Sequence, residues 1–369
     1  MPLDTSRFYR LPWSREDSPN GWIEPTTHCQ LRCPDCYRGT DRAGFQPVHG
    51  EPEAVKREID ELIRLRNIQT LTISGGDPLL YPDLDEIVRY AREKALEVMV
   101  LTNGVLLDRA RVVHLRSLGV GRVVIHIDRH QGRAEGQTES ELNGLRATFC
   151  ELFREVQGIT LGFLMPLSAE DIGDLDVLIP FFRRNSDVVR VAMFTVRQEL
   201  ILGGAQYDPA RRPAFERIAE RVRELYGLEY AAYLPKRASG GIAWLVGIPV
   251  FSGSRTVGSI GAATCRWVQE ENRKRHGHYV VVGNRMPASP GFLFHVLVDP
   301  SLRAILFRHL LRRRDGPLHH QVVILLNTPE KTNGIWDFCQ GCPDAILHQG
   351  KLVPSCLLEN AKAGEDVAL

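Results

Sequence analysis

Between Trp22 and Arg38 the chain reads WIEPTTHCQLRCPDCYR, and Cys29, Cys33 and Cys36 stand in it with the spacing C-x3-C-x2-C. Three thiolates this close together can hold three corners of an iron–sulfur cubane and leave the fourth iron without a protein ligand. An open iron is a place for chemistry. Zinc is the alternative, but a structural zinc site takes four ligands, and the nearby candidate, His28, adjoins Cys29 and is badly placed to join the same tetrahedron. Disulfides need an oxidising compartment, which nothing in the sequence indicates.

A second group, Cys339, Cys342 and Cys356, has the spacing C-x2-C-x13-C within WDFCQGCPDAILHQGKLVPSC. Ile346 to Val353, around Gln349-Gly350, reads as a hairpin. Two cysteines on a knuckle and one arriving off that hairpin make a compact three-point ligand set. A zinc knuckle and a purely structural cluster are the other readings. Cys150 lies inside an amphipathic helix pattern and reads as packing.

These cysteines have to be positioned by regular elements. From residue 22 to about 226, short apolar runs alternate with amphipathic ones, the pattern of βα units on a parallel sheet. Strands are expected at 22–27, 70–74, 97–102, 122–127, 160–165 and 188–194. Helices are expected at 53–66, 82–94, 108–118, 139–155, 171–184 and 212–226. Several polar residues then fall at strand C-terminal ends: Ser74-Gly75-Gly76-Asp77-Pro78, Thr102-Asn103-Gly104 and His126-Ile127-Asp128. Read alone, Gly-Gly-Asp-Pro is a turn, Asn103 and Asp128 are helix caps, and His126 is a core histidine. Beyond Gly227 the rhythm is lost, although Ile242 to Phe251 and Val322 to Leu326 are apolar.

The first cysteine triad, its place after a strand and the Gly75-Gly76-Asp77-Pro78 turn together resemble the radical S-adenosylmethionine (SAM) superfamily. The resemblance implies an α/β fold, a partial (β/α)6 TIM-like barrel with an irregular C-terminal cap carrying the second cysteine cluster. The implied organisation is an N-terminal extension at 1–21, the barrel at 22–226, a cap or substrate region at 227–330 and an auxiliary-cluster segment at 331–369. It further implies a [4Fe-4S] cluster on Cys29, Cys33 and Cys36 that binds SAM, with Gly75, Gly76, Asp77 and Pro78 around the methionine amino group. Thr102, Asn103 and Asp128 then line the pocket for ribose and carboxylate. Asp35 stands where the family usually has an aromatic residue, and Tyr37, the aromatic candidate for the cofactor contact, follows two places later. The C-terminal spacing is similar to the auxiliary site of the GTP cyclase of molybdenum-cofactor synthesis and to the twitch and SPASM appendages, implying a second [4Fe-4S] cluster; the appendages use a fourth cysteine, for which Cys265 is the candidate here.

Composition bounds the rest. With 369 residues, 43% of them hydrophobic, a large core is available, and a net charge of +1 gives no electrostatic case for nucleic acid as an obligatory partner. The polar, proline-broken start and the lack of a long apolar run point to a soluble, cytoplasmic protein. Arg303, Arg308, Arg312, Arg313 and Arg314 interleave with leucines as a basic amphipathic pattern, which reads as a solvated helix face or a membrane-surface contact. Gly132-Arg133 sits in a polar strand-end loop suited to a substrate contact.

By resemblance the protein is an enzyme. One electron from a flavodoxin- or ferredoxin-type donor cleaves SAM to a 5′-deoxyadenosyl radical, which takes hydrogen from a small-molecule substrate such as a nucleotide, sugar or lipid precursor. The second cluster would anchor that substrate or accept an electron. A peptide-modifying maturase and a non-catalytic iron–sulfur sensor or carrier are the alternatives. No cobalamin-binding domain is visible.

Overall fold

A computed structural model of the chain describes residues 3–34, 36–198, 214–281, 295–311 and 317–369. Its strands and helices, in chain order, begin with β1 (Tyr9–Arg10), β2 (Asn20–Thr26), α1 (Pro52–Arg66), β3 (Thr70–Gly75), α2 (Leu84–Glu93) and β4 (Glu97–Thr102). They continue through α3 (Arg109–Ser117), β5 (Val120–His126), α4 (Glu139–Val156), β6 (Thr160–Leu167), α5 (Leu175–Arg184), β7 (Val189–Val196) and α6 (Phe215–Tyr226). The expected rhythm is therefore present, though residues 212 and 213 of the last expected helix lie outside the described residues. Two helix starts shift. Asp77 caps a 3-10 turn at Pro78–Leu80, so α2 begins at Leu84, and a 3-10 turn at Ala169–Asp174 precedes α5.

Local chemistry explains these elements. In α1, Pro52 supplies a first-turn residue that needs no hydrogen-bond donor, and Val55, Ile59 and Leu62 form one buried stripe. Asn67 closes the helix in the left-handed conformation at φ 51°. A reciprocal capping box, Thr138 with Glu141, starts α4.

The remaining chain adds β8 (Tyr230–Pro235), β9 (Ile242–Gly247), β10 (Pro249–Ser252), β11 (Arg255–Ser259), α7 (Ala262–His276) and α8 (Pro300–Leu310). After them come β12 (Leu318–His320), β13 (Val322–Leu326), β14 (Glu330–Thr332), β15 (Ile335–Asp337), β16 (Ala345–His348), β17 (Lys351–Pro354) and α9 (Leu358–Lys362). One sheet of ten strands runs in the order β1-β8-β9-β13-β7-β6-β5-β4-β3-β2. Strands β2 to β7 are parallel, and β13 adds parallel to β7, while β9 lies antiparallel between β13 and β8. Thus β8, β9 and β13, from the stretch where the sequence showed no order, extend the barrel sheet itself.

Alternate residues separate the two faces of this sheet. Val98, Val100, Val123, Ile125, Phe163 and Phe194 belong to the core shared with the helices. Their neighbours Met99 and Leu101, Val124 and His126, and Met193 and Thr195 line a cavity to which β2 to β7, β9 and β13 all contribute. Eight strands can face one cavity only if the sheet curves round it, so the sheet is a partial barrel.

The C-terminal segment bridges the two edges of this curved sheet. At the β8 side, Gln340 N–H donates to Pro235 O at 2.9 Å and Arg237 N–H donates to Phe338 O at 2.8 Å. At the β2 side, Trp22 packs with Trp336, Ile346, Val353 and Leu357. Strand edges left open in this way are covered by the segment that carries the second cysteine group.

Candidate functional site

The first triad sits on the loop that leaves β2. Cys36 N–H donates to Cys33 O at 3.2 Å, making a tight turn, and Asn103 Nδ2 reaches Cys29 Sγ at 3.5 Å and Gln30 Oε1 at 2.7 Å. All three thiols are partly exposed and line the cavity. Burial pushes Cys29 above the ordinary thiol range and Cys33 up to about 12, so both are protonated unless a bound cation draws them to thiolate. His28 stacks on His49 with ring centroids 4.0 Å apart and does not line the cavity, so it is not the fourth ligand the zinc alternative would need. Asp35 lies outside the described residues.

The glycine pair after β3 is pressed against this loop. A Cβ on Gly75, at φ +121°, would lie 2.2 Å from Thr26 O, and one on Gly76 would lie 2.1 Å from His28 O. Gly76 N–H donates to Thr26 O and Asp77 N–H to His28 O, at 2.9 and 2.7 Å. The two glycines thus let the cysteine loop lie directly on β3. Asp77 is fully buried and directed inward, its oxygens accepting from Leu79 N–H, Thr102 Oγ1 and Asn103 N–H. Gly75, Gly76, Thr102, Asn103, Asp128 and Tyr37 border the cavity, whereas Asp77 and Pro78 stand behind it.

Asp128 pairs with His126 at 2.6 Å, caps the following turn by accepting from His130 N–H at 2.7 Å, and lies 3.8 Å from Arg197. Its burial works to raise the carboxyl. The bond to His126 and the nearby Arg197 outweigh that and hold it below the ordinary range. Arg133, expected in a substrate contact, is buried instead; it donates to Asn103 O and His126 O at 2.5 and 3.0 Å and braces two strand ends.

The second triad lines the same cavity, which has a volume of about 300 Å³. The pair Cys339 and Cys342 sits on a knuckle whose Gly341 is in the left-handed conformation at φ +61°, with Trp13 O only 2.6 Å from where a Cβ would be. Cys356 follows the β16–β17 hairpin, whose turn residues Gln349 and Gly350 both have positive φ. Gln198 Nε2 donates to Cys356 O at 2.9 Å and ties this cysteine to the end of β7. The contact with Cys339, with burial behind it, pushes the Cys342 thiol well up, and burial does the same to Cys356. Cys265, on α7, does not line the cavity, and burial alone pushes its thiol up to about 12. Cys150 is fully buried in the core beneath α4, as packing.

Arg66, absent from the sequence-derived site, holds the knuckle. Its side chain is fully buried; Nη2 donates to Cys342 O at 2.7 Å, Nη1 to Asn20 O and Pro343 O at 3.4 Å each, and Nε to Arg15 O at 3.2 Å. Every one of its hydrogen-bond partners is a backbone carbonyl. Among the described residues no carboxylate forms a close ion pair with it; Asp344, Glu16 and the thiols of Cys342 and Cys339 act on it at longer range, so this buried guanidinium favours negative charge at the knuckle. Three thiolates on a cluster supply that, so this donor set suits a metal centre.

A buried ionic network joins the two sites. Glu24 on β2 accepts from Trp22 Nε1 at 2.9 Å and Tyr37 Oη at 3.1 Å, and pairs with Arg38 Nε at 2.8 Å; Arg38 pairs in turn with Glu359 of α9 at 2.6 Å. Away from the cavity, Arg303 is exposed on α8 and Arg308 donates to Val257 O, while Arg312 to Arg314 lie outside the described residues. No helix among the described residues is long and apolar enough to cross a membrane.

Comparison with known proteins adds identity to this geometry. The family model of the radical SAM superfamily matches residues 23–131. The Fe-coproporphyrin III synthase of Methanosarcina barkeri (strain Fusaro / DSM 804) is 24% identical over 243 residues, 61% of this chain and 59% of that protein. The AdoMet-dependent heme synthase of the same organism is 34% identical over 126 residues, 34% of each chain. The PqqA peptide cyclase of Rhodopseudomonas palustris is 36% identical over 105 residues, 28% of this chain and 27% of that one. The chain thus spans between about a quarter and three-fifths of the length of these curated relatives. Among solved structures, Streptococcus suis SuiB bound to S-adenosylmethionine is similar at 17% identity and a TM-score of 0.44, covering 57% of this chain and 48% of that one.

Proposed function

We propose that the chain is a radical SAM enzyme, of the superfamily whose model matches residues 23–131 and whose members use a [4Fe-4S] cluster and SAM, and that it abstracts hydrogen from a small metabolite held between two iron–sulfur sites. A nucleotide, sugar or lipid precursor fits this reading. The observation that carries it is the single cavity lined by both cysteine triads. When loaded, the cluster on Cys29, Cys33 and Cys36 with its SAM supplies a 5′-deoxyadenosyl radical, chemistry beyond any side chain. The chain's own residues provide the setting. Gly75 and Gly76 admit the cysteine loop, Asn103 fixes Cys29, and the His126–Asp128 pair supplies polar contacts at the strand ends. The inward apolar residues Met99, Leu101, Val124 and Met193 exclude water and orient the substrate C–H bond.

Cys339, Cys342 and Cys356 hold a second [4Fe-4S] cluster, which anchors the substrate or accepts an electron. A flavodoxin- or ferredoxin-type donor in the cytoplasm provides the reducing electron. The relatives are by name a porphyrin synthase, a heme synthase and a peptide cyclase, so they single out no one substrate.

The test is SAM cleavage by anaerobically reconstituted protein with dithionite, read as 5′-deoxyadenosine by chromatography. Formation of the nucleoside, lost in Cys33→Ala and increased by a screened substrate, supports the reading. A protein that binds iron but neither binds nor cleaves SAM is instead an iron–sulfur carrier.

A further inference from the structure

We propose that Asp344 is the fourth protein ligand of the C-terminal cluster, an inference that rests on reading Cys339, Cys342 and Cys356 as an iron–sulfur site. Asp344 follows Cys342 by two residues, and its carbonyl accepts from Ser355 N–H at 3.0 Å, so it faces the Ser355–Cys356 end of the hairpin. It lines the same cavity as the three thiols. One carboxylate oxygen is fixed: Asn20 Nδ2 donates to Oδ1 at 3.0 Å, and Asn20 is itself held by Thr72 Oγ1 at 3.1 Å. The other oxygen accepts no hydrogen bond among the described residues. A carboxylate with one oxygen oriented by an amide and the other free is prepared for a cation, as metal ligands held by outer partners are.

The charge balance points the same way. Arg66 is a fully buried cation whose hydrogen bonds all go to carbonyls, including that of Cys342. Three cysteine thiolates and one carboxylate on a cluster leave it more anionic than three thiolates alone, and this guanidinium offsets the difference. Cys265, the ligand suggested by counting cysteines, is outside the cavity. With four protein ligands the C-terminal cluster has no open iron for a substrate atom. Of the two roles under Proposed function, it keeps the one of holding or passing an electron.

The experiment uses full-length chain carrying Cys29, Cys33 and Cys36→Ala, reconstituted anaerobically so that the C-terminal site is the one loaded, then reduced and examined by pulsed EPR with ¹⁵N-imidazole. The expected result is about four irons per chain, no ¹⁵N coupling, and the appearance of coupling when Asp344→Ala is added. Asp344→Cys should close the site again, with shifted g values. Coupling to imidazole with Asp344 intact overturns the proposal, as does a spectrum that Asp344→Ala leaves unchanged. Should that chain not fold, the double variant Cys29/Cys33→Ala, which leaves the first site with one thiol, gives the same readout. A parent without iron overturns the reading of the triad itself, a different failure.

Discussion

Gly76 shows how a single residue type sets the site. Its missing side chain leaves room for His28 O, which would stand 2.1 Å from a Cβ, and the cysteine loop depends on that approach. Gly76→Ala should therefore fold its barrel but push the loop off β3, and iron analysis should find the N-terminal cluster lost while circular dichroism stays near wild type. Arg66 is the complementary case. Removing it as Arg66→Met leaves the carbonyls of Cys342 and its neighbours unsatisfied, costing on the order of 3 kcal/mol of holoprotein stability by thermal denaturation. The cysteines and glycines were legible because their chemistry is carried by type and spacing. Arg66 had a signal too: it continues the buried stripe Val55, Ile59 and Leu62 at the next helical position. By type alone it is an ordinary basic residue in the last turn of a helix. Its partners Gly341 to Pro343 are 275 to 277 residues away in sequence, and nothing local announces them. Asp77 is a related case. The sequence marks an acidic residue beside the glycines, but only the fold reveals that Thr102 and Asn103 occupy its oxygens.

Among elements, the contact of α1 with the β16–β17 hairpin carries a pH dependence. Glu58 points a carboxyl at this contact, where burial pushes it up to about 8; one oxygen is buried without a partner and the Leu347 backbone offers the opposing hydrogen bond. A carboxyl raised in the folded state lends its stability at acid pH, where folded and unfolded chains are both protonated. Between about pH 4.5 and 8 the unfolded chain ionises and the folded one does not, so stability falls as pH rises through that window. Glu58→Gln should flatten the slope and raise stability at pH 8, read from the thermal midpoint, by a few kcal/mol at most; a variant with the wild-type pH profile contradicts this. The six parallel strands and their helices were legible in the alternation of apolar runs, because each βα unit pairs with its neighbour in sequence. In contrast, β9 and β13 are separate apolar runs whose pairing closes a loop of some seventy residues, and no sequence period records such a partner.

At the scale of the whole molecule, the C-terminal segment both spans the open side of the barrel and carries the second triad, so one stretch of chain completes the fold and the cavity together. The spacing C-x2-C-x13-C carries the ligand reading but not the segment's position, because docking depends on Asn20, Arg66 and Gln198, contributed by distant elements. The central claim is that the two triads hold two clusters facing one cavity. Iron and sulfide content of anaerobically reconstituted protein, wild type beside a Cys339/Cys342/Cys356→Ala variant, tests it most directly. The account predicts about eight irons in the wild type and about four in the variant, with SAM cleavage still detectable at the first site. Four irons in both proteins would contradict it, leaving the C-terminal cysteines as structure alone.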